Sequence, residues 1–175
     1  MPVRLKDVLI PAQPVSPVMS ARAVFNLFLS DPDLFAIAIT RDDIPLGLVS
    51  RVQLTEILAG PNRQILLAAP TISTIAKKKF ICAEARTPVA AVAKQAAEAN
   101  SGVLVDGVIV SQDGKYAGVV SPATLLKVVA EENAARARSM LKSRQKFENN
   151  LREIQEEKER QSEFCLLYTS DAADD

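Results

Sequence analysis

Histidine and tryptophan are missing from this sequence of 175 residues, and cysteine occurs only twice, as Cys82 and Cys165. Without histidine, the chain lacks the most common general base and the most common metal ligand. Two cysteines so far apart form neither a disulfide framework nor a zinc knuckle, so we expect no metal site. Cys82 lies in a short apolar stretch, which predicts a buried core residue rather than a redox sensor.

An excess of charge of either sign is also missing, because 21 Lys and Arg balance 21 Asp and Glu. We therefore expect no nucleic-acid partner. No apolar run approaches the roughly 18 residues of a membrane-spanning helix, and the N-terminus does not resemble a signal peptide. These absences predict a cytoplasmic protein without a membrane partner. No glycine-rich phosphate loop or nucleophile elbow is recognisable, so we expect no catalytic residue within this chain.

What the sequence does contain is an internal repeat across its first 130 residues or so. The repeat appears when the sequence is shifted by 71 residues, and the positions that then coincide are Pro17 and Pro88, Val18 and Val89, Asp42 and Asp113, Gly47 and Gly118, Ser50 and Ser121, and Leu54 and Leu125. Such self-similarity predicts two copies of one supersecondary unit.

Each copy has the pattern helix, strand, turn, strand, helix. The first copy predicts a helix over 20–29, strands over 34–40 and 46–49, and a turn at Asp42. The second predicts a helix over 88–100, strands over 105–111 and 116–120, and a hairpin turn at Asp113-Gly114. Ser50 and Ser121 end the last strand of their copies, where each is placed to N-cap the next helix. Asp106 and Asp113 are interpreted as turn or strand-edge residues, and the lysines at 77–79 as a solvated loop.

The repeat, with a Gly-apolar-apolar-Ser junction leading into a helix in each copy, resembles the cystathionine β-synthase-type (CBS) domain pair. The resemblance covers roughly residues 5–133 and implies an α/β fold of tandem repeats. The alternative is another α/β domain with a duplicated hairpin. On the CBS interpretation, the divisions of the chain are 1–60 for the first repeat, 61–79 for a connection, 80–132 for the second repeat, 133–164 for a signalling helix and 165–175 for a non-native tail.

Many CBS pairs bind adenine nucleotides in clefts between their repeats, so the resemblance implies a small-molecule ligand. In that family a hydroxyl at the junction lies near a helix N-terminus, which suits a phosphate, and an Asp three residues later binds the ribose. Here the hydroxyls are present, but the Asp positions hold Gln53 and Thr124, which argues against the usual ribose contact. The candidate ligand-binding residues are Ser50, Arg51, Gln53, Ser121 and Thr124. For the two serines, helix capping alone is the alternative.

From Pro122 onwards the pattern is helical and is not interrupted by Gly or Pro as far as Phe164. Apolar residues recur at heptad spacing, diluted by Arg144 and Lys158. The apolar seam consists of Met140, Phe147, Leu151 and Ile154. This pattern predicts a weak parallel coiled coil and a homodimer formed through the CBS pair and this helix; a solvated terminal helix with pairs such as Glu148–Arg152 is the alternative.

The last residues of this helical pattern point to an output domain. The segment 161–164, Gln-Ser-Glu-Phe, resembles the lead-in to the dimerisation helix of bacterial sensor histidine kinases, where a phosphoacceptor histidine follows. The resemblance implies that this chain is the sensory input of such a kinase, in a two-component phosphorelay. An input module of a diguanylate cyclase or phosphodiesterase and a stand-alone CBS regulator are the alternatives.

The C-terminal segment 165–175, CLLYTSDAADD, breaks with the charged helical pattern before it. It resembles the translation of a transposase-end adaptor used to prepare DNA for shotgun sequencing, whereas a genuine acidic tail is the alternative. We therefore expect the native chain to continue differently after Phe164, and we exclude the segment from the fold prediction.

Overall fold

The computed structural model describes residues 2–61, 63–68, 71–99 and 103–172. The chain divides into two compact units, Met1–Ala130 and Glu131–Asp175. The first unit contains both repeats and the second contains most of the C-terminal helix. The predicted α/β fold with a long C-terminal helix is confirmed.

The first repeat consists of a helix, a hairpin and a second helix, namely α1 (Ala21–Ser30), β1 (Ala36–Arg41), β2 (Ile44–Ser50) and α2 (Arg51–Ala59). Ser20 is the N-cap of α1, and its hydroxyl accepts a hydrogen bond from the backbone N–H of Ala23 at 3.2 Å. The turn between β1 and β2 holds Asp42 and Asp43 at φ 52° and 63°. These left-handed values are typical of a two-residue type I′ hairpin, so the predicted turn is confirmed.

The second repeat follows α3 (Arg63–Ala68) and consists of β3 (Cys82–Glu84), α4 (Val89–Glu98), α5 (Val103–Asp106), β4 (Val108–Gln112) and β5 (Lys115–Val120). Strand β3 pairs in parallel with β4, which pairs antiparallel with β5. Asp113 and Gly114 form the hairpin turn at φ 54° and 78°. The two hairpins also share a register irregularity, at Ile39/Thr40 and at Val110/Ser111, which are equivalent positions of the repeat.

The predicted strand 105–111 is wrong at its beginning. Residues Val103–Asp106 form the short helix α5, and β4 begins only at Val108. Gly107 separates the two elements with φ +94°, a value that glycine adopts readily. An apolar run alone does not distinguish a buried helical turn from a strand. The predicted helix 88–100 extends to a residue that lies outside the described ranges.

The apolar core of the first unit has three parts. One part lies under the helices of each repeat, and the third lies where the two hairpins meet. This shared part consists of Ala36, Ala38, Leu48, Ile109 and Val119, all nearly inaccessible. Because both faces of each hairpin are covered, the strands contain continuous apolar runs rather than alternating ones.

Helix α6 (Pro122–Asp171) supplies the second unit from Glu131 onwards. It extends beyond Phe164, where the charged pattern ends, because no Gly or Pro in the next residues stops a helix. Its i,i+4 ion pairs include Arg144–Glu148 and Arg152–Glu156, so Glu148 and Arg152 bind other partners than the predicted one. Among the described residues, no helix has the length and apolar composition needed to cross a membrane.

Candidate functional site

Ser50 ends β2 and caps α2, as the sequence predicts. Its hydroxyl oxygen accepts a hydrogen bond from the backbone N–H of Gln53 at 3.2 Å. The same hydroxyl donates to Oδ1 of Asp106 at 2.5 Å, although the two residues are 56 positions apart. Ser50 is only 1% exposed. Its side chain therefore both caps a helix and connects the first repeat to the second.

Asp106 is a buried residue at the end of α5, 5% exposed, and not the turn or strand-edge residue that we predicted. Its second carboxylate oxygen, Oδ2, binds Nζ of Lys77 at 2.5 Å. The backbone of Lys77 is also held, because its N–H and C=O pair with Leu48 of β2 at 2.9 and 3.1 Å. Lys77 is thus not a solvated loop residue. Together, Ser50, Asp106 and Lys77 join three distant segments through one buried carboxylate.

Arg51 binds backbone carbonyl groups within its own repeat. Its guanidinium donates to the carbonyls of Phe28, Asp31 and Leu34 at 2.8, 2.5 and 3.0 Å. The guanidinium also lies 5.4 Å from the ring centroid of Phe28, in cation–π geometry. These carbonyls lie at and after the C-terminal end of α1, where a cation is favourable. Arg51 therefore positions the segment that joins α1 to β1.

Gln53, at a position where a CBS pair often has Asp, packs against the connection between the repeats. Its amide nitrogen donates to the carbonyl of Ile75 at 2.7 Å. Its amide oxygen is buried and has no hydrogen-bond partner among the described residues. A buried acceptor without a partner is costly, so this oxygen is a free polar group at the first junction.

Ser121 and Thr124 form the corresponding junction of the second repeat. The hydroxyl of Ser121 accepts from the backbone N–H of Thr124 at 3.0 Å, which confirms the predicted N-cap of α6. The two hydroxyl groups lie 2.8 Å apart and share a hydrogen bond. Unlike Ser50, the Ser121 side chain makes no hydrogen bond to the other repeat within the described part of the chain.

The two junction glycines allow another segment of the chain to cross each hairpin closely. A Cβ on Gly118 would lie 2.6 Å from the carbonyl oxygen of Ile10, and one on Gly47 would lie 3.2 Å from that of Lys77. Ile10 pairs with Val119, just as Lys77 pairs with Leu48 at the equivalent position of the first repeat. Ile10 and Lys77 therefore occupy corresponding places in the two repeats.

A cavity of about 580 Å³ opens beside the second junction, between residues 10–15, the end of α1 and the start of β1. This volume is within the range of about 300–1,000 Å³ that is usual for small-molecule sites. Its walls are mostly apolar, with polar groups from Gln13, Ser30, Asp31 and Asp33. None of the five predicted ligand-binding residues is among the described residues that line it. Arg51 instead binds the backbone carbonyls of Asp31 and Leu34, two residues that do line the cavity.

The two junctions differ in the residues at equivalent positions of the repeat. At the first junction, Lys77 and Asp106 form an ion pair beside Ser50. The corresponding residues of the second junction are Ile10 and Phe35, which line the cavity. The sequence signal for this asymmetry is that Phe35 falls on Asp106 when the sequence is shifted by 71 residues.

Tyr116 fixes the segment 10–15, which precedes α1 and forms one wall of the cavity. Its hydroxyl donates to the carbonyl of Ala12 at 2.7 Å. Burial disfavours the phenolate and raises the pKa of Tyr116 to about 12. Because the pKa of the folded state is higher than that of the unfolded chain, the contribution of this group to stability is lost between about pH 10 and pH 12.

Cys82 begins the short strand β3 but is exposed, so the prediction of a core position is wrong. Its neighbour Ile81 is buried instead. Side chains alternate between the two faces of a strand, and a three-residue apolar stretch does not indicate which face is covered.

The comparisons with known proteins agree with the fold. The family model of the CBS domain matches residues 72–131. The CBS domain pair of protein MJ0100, in complex with 5′-methylthioadenosine and S-adenosyl-L-methionine, is similar with a TM-score of 0.58 and 18% identity, over 75% of this chain and 99% of that one. A comparison with curated proteins finds no relative that matches.

Two further structures are similar over most of their own length. The CBS-pair protein CBSX2 from Arabidopsis thaliana has a TM-score of 0.55 at 14% identity, over 77% of this chain and 99% of that one. The CBS-domain containing protein ATU1752 from Agrobacterium tumefaciens has a TM-score of 0.52 at 19% identity, over 71% and 98%. The chain therefore has the mixed α/β fold of a CBS domain pair, followed by a long C-terminal helix.

Proposed function

We propose that residues 2–130 are a regulatory module that binds a small ligand in the open cavity and passes the signal through α6 to an output domain. One observation carries this proposal: Val119 lines the cavity, and Ser121, the N-cap of α6, follows only two residues later. A ligand that moves β5 would thus move the first turn of the signalling helix. The ligand class is adenosine-like, since similar CBS pairs have been crystallised with 5′-methylthioadenosine, S-adenosyl-L-methionine and AMP.

The output domain that we propose is a histidine kinase. The support is the segment 161–164, Gln-Ser-Glu-Phe, which resembles the lead-in to the dimerisation helix of that family. It lies within α6, as a continuous helix between sensor and output requires. On this proposal, residues 165–175 are an adaptor-derived tail. A stand-alone CBS regulator is the competing function. In that case the solvent-exposed surface of α6 would bind a separate partner protein.

The first experiment is to amplify the source gene across codon 164 without adaptors and then to test coupling in the full-length protein. We expect the reading frame to continue into a His-Glu-x-Arg-Thr-Pro segment. In that protein, Leu141→Pro should abolish ligand-dependent changes in autophosphorylation, because proline breaks a helix interior. Leu141 is exposed, so Leu141→Ala is a matched control that should keep regulation. A genuine tail with a stop codon would contradict the kinase, and unchanged regulation in the proline variant would contradict coupling through α6.

We also propose that α6 dimerises in parallel through its apolar seam. Met140, Phe147, Leu151 and Ile154 recur at heptad positions and are 50–71% exposed in the single chain. Such a row of large apolar residues on one helix face is typical of a coiled coil.

Ile154→Glu is expected to shift the chain from dimer to monomer in light scattering after gel filtration. A charge at the seam of a coil that is already diluted by Arg144 and Lys158 should shift the association equilibrium by at least tenfold, since about 1.4 kcal/mol suffices for that. The control is Asn149→Asp, on the opposite face of the same helix, which should leave the dimer intact. A wild-type chain that is monomeric at high concentration would contradict the proposal.

A further inference from the structure

The charged side chains that line the open cavity are exposed carboxylates, without a lysine or arginine among the described lining residues. These carboxylates are Asp31 and Asp33. Neither carboxylate takes part in a salt bridge within the described part of the chain. Oδ1 of Asp31 accepts a hydrogen bond from the backbone N–H of Asp33 at 3.0 Å, which keeps the two residues together in one turn.

Two cations at the first junction, Arg51 and Lys77, are already bound to other groups of the chain. The guanidinium of Arg51 donates to three carbonyl groups and lines a different, smaller cavity between α1 and α2. Lys77 is held by Asp106 at the first junction. Either cation could serve a ligand in the open cavity only after these contacts were broken.

The N-terminus of α6 at the second junction does not provide a phosphate-binding group in place of Arg51 and Lys77. The backbone N–H of Thr124 is already satisfied by the hydroxyl of Ser121, and neither residue lines the cavity. A phosphate in the cavity would therefore lie near two carboxylates without a lysine or arginine among the described lining residues, which is unfavourable. A cleft lined by one sign of charge instead concentrates ligands of the opposite sign.

We infer that the open cavity selects an uncharged or positively charged ligand and rejects one that carries a phosphate. This inference rests on the proposed ligand-sensing function. It gives the ligand a chemical class: an apolar ring system for the walls, with a neutral or cationic substituent facing Asp31 and Asp33. A nucleoside thioether or a sulfonium meets this description, and a nucleoside monophosphate does not.

The test uses three probes that share adenosine and differ only in their 5′ substituent: 5′-methylthioadenosine, S-adenosylmethionine and AMP. Isothermal titration of the full chain is expected to give dissociation constants for the first two that are at least tenfold lower than that for AMP. Raising the salt concentration to about 0.5 M should weaken S-adenosylmethionine more than the uncharged thioether, because salt screens charge.

A charge-reversal variant of a lining residue tests whether the charge selectivity of binding arises in the cavity. Asp33→Lys should weaken the binding of S-adenosylmethionine at least tenfold and strengthen the binding of AMP. Glu98→Lys makes an equal change of net charge at the exposed end of α4 and should alter the binding of neither probe. If AMP binds wild type as tightly as the other probes, the charge selectivity is overturned while the cavity remains a ligand site. If none of the three probes binds, the proposed sensing function fails, and the inference fails with it.

Discussion

Lys77→Met is expected to lower the free energy of unfolding by about 3 kcal/mol, because it leaves the buried carboxylate of Asp106 without its cation. Methionine keeps much of the length of the lysine side chain, so the loss is mainly electrostatic. The figure is at the lower end of the range for a broken buried pair, since the Lys77 side chain is 39% exposed and that of Asp106 is 7% exposed. Urea denaturation of the full chain, followed by circular dichroism, measures the change.

Two variants make this result specific. Lys78→Met, an exposed neighbour, should change stability by less than about 0.5 kcal/mol. Asp106→Asn combined with Lys77→Met should recover part of the loss, because a neutral amide needs no cation and can still accept from Ser50. If Lys77→Met costs no more than Lys78→Met, Asp106 does not depend on the ion pair.

Gly107→Ala is expected to destabilise the chain by about 3 kcal/mol through strain and overpacking together. The backbone of Gly107 has φ +94°, and an added Cβ would lie 2.6 Å from Cε2 of Phe35 and 2.8 Å from the carbonyl oxygen of Val120. Because Phe35 also lines the open cavity, the variant should weaken ligand binding as well.

The matched control is Gly114→Ala in the hairpin turn. Gly114 also has positive φ, at +78°, but a Cβ there would meet nothing within 4 Å. Only backbone strain remains, so the expected loss is about 1 kcal/mol. Equal losses at the two glycines would show that the contact with Phe35 is unimportant. The midpoint of thermal unfolding provides the measurement, with both variants at the same concentration.

Much of the fold could be predicted because its determinants are local. Two-residue turns at Asp42-Asp43 and Asp113-Gly114 need left-handed backbone, which Asp and Gly tolerate, and both hairpins formed as expected. Ser50 and Ser121 cap the helices that follow them, because serine is a preferred residue at the N-cap. The repetition of these signals after 71 residues was sufficient to predict tandem repeats.

The candidate site was less accessible to prediction, because its residues come from separate parts of the chain. The predicted site residues were the polar ones at the two junctions, yet the cavity lies beside them and is walled by Ile10, Phe35 and Val119. Lys77 was taken for a solvated residue, since nothing in its neighbourhood along the sequence indicates a buried acid. A role in ligand binding stays a prediction for the five polar residues of the junctions, Ser50, Arg51, Gln53, Ser121 and Thr124.

The sequence by itself determined the repeat, the two hairpins, the capped helices and the long charged helix after Pro122, because each depends on contacts between residues near one another in the chain. Only the tertiary structure decided that an ion pair forms at the first junction and that a cavity opens beside the second. The difference depends on the pair of side chains present where a connecting segment crosses each hairpin. Lys77 binds Asp106 at the first junction, whereas Ile10 and Phe35 line the cavity at the second. Equivalent positions in the repeat thus acquired different environments through contacts that no local pattern specifies.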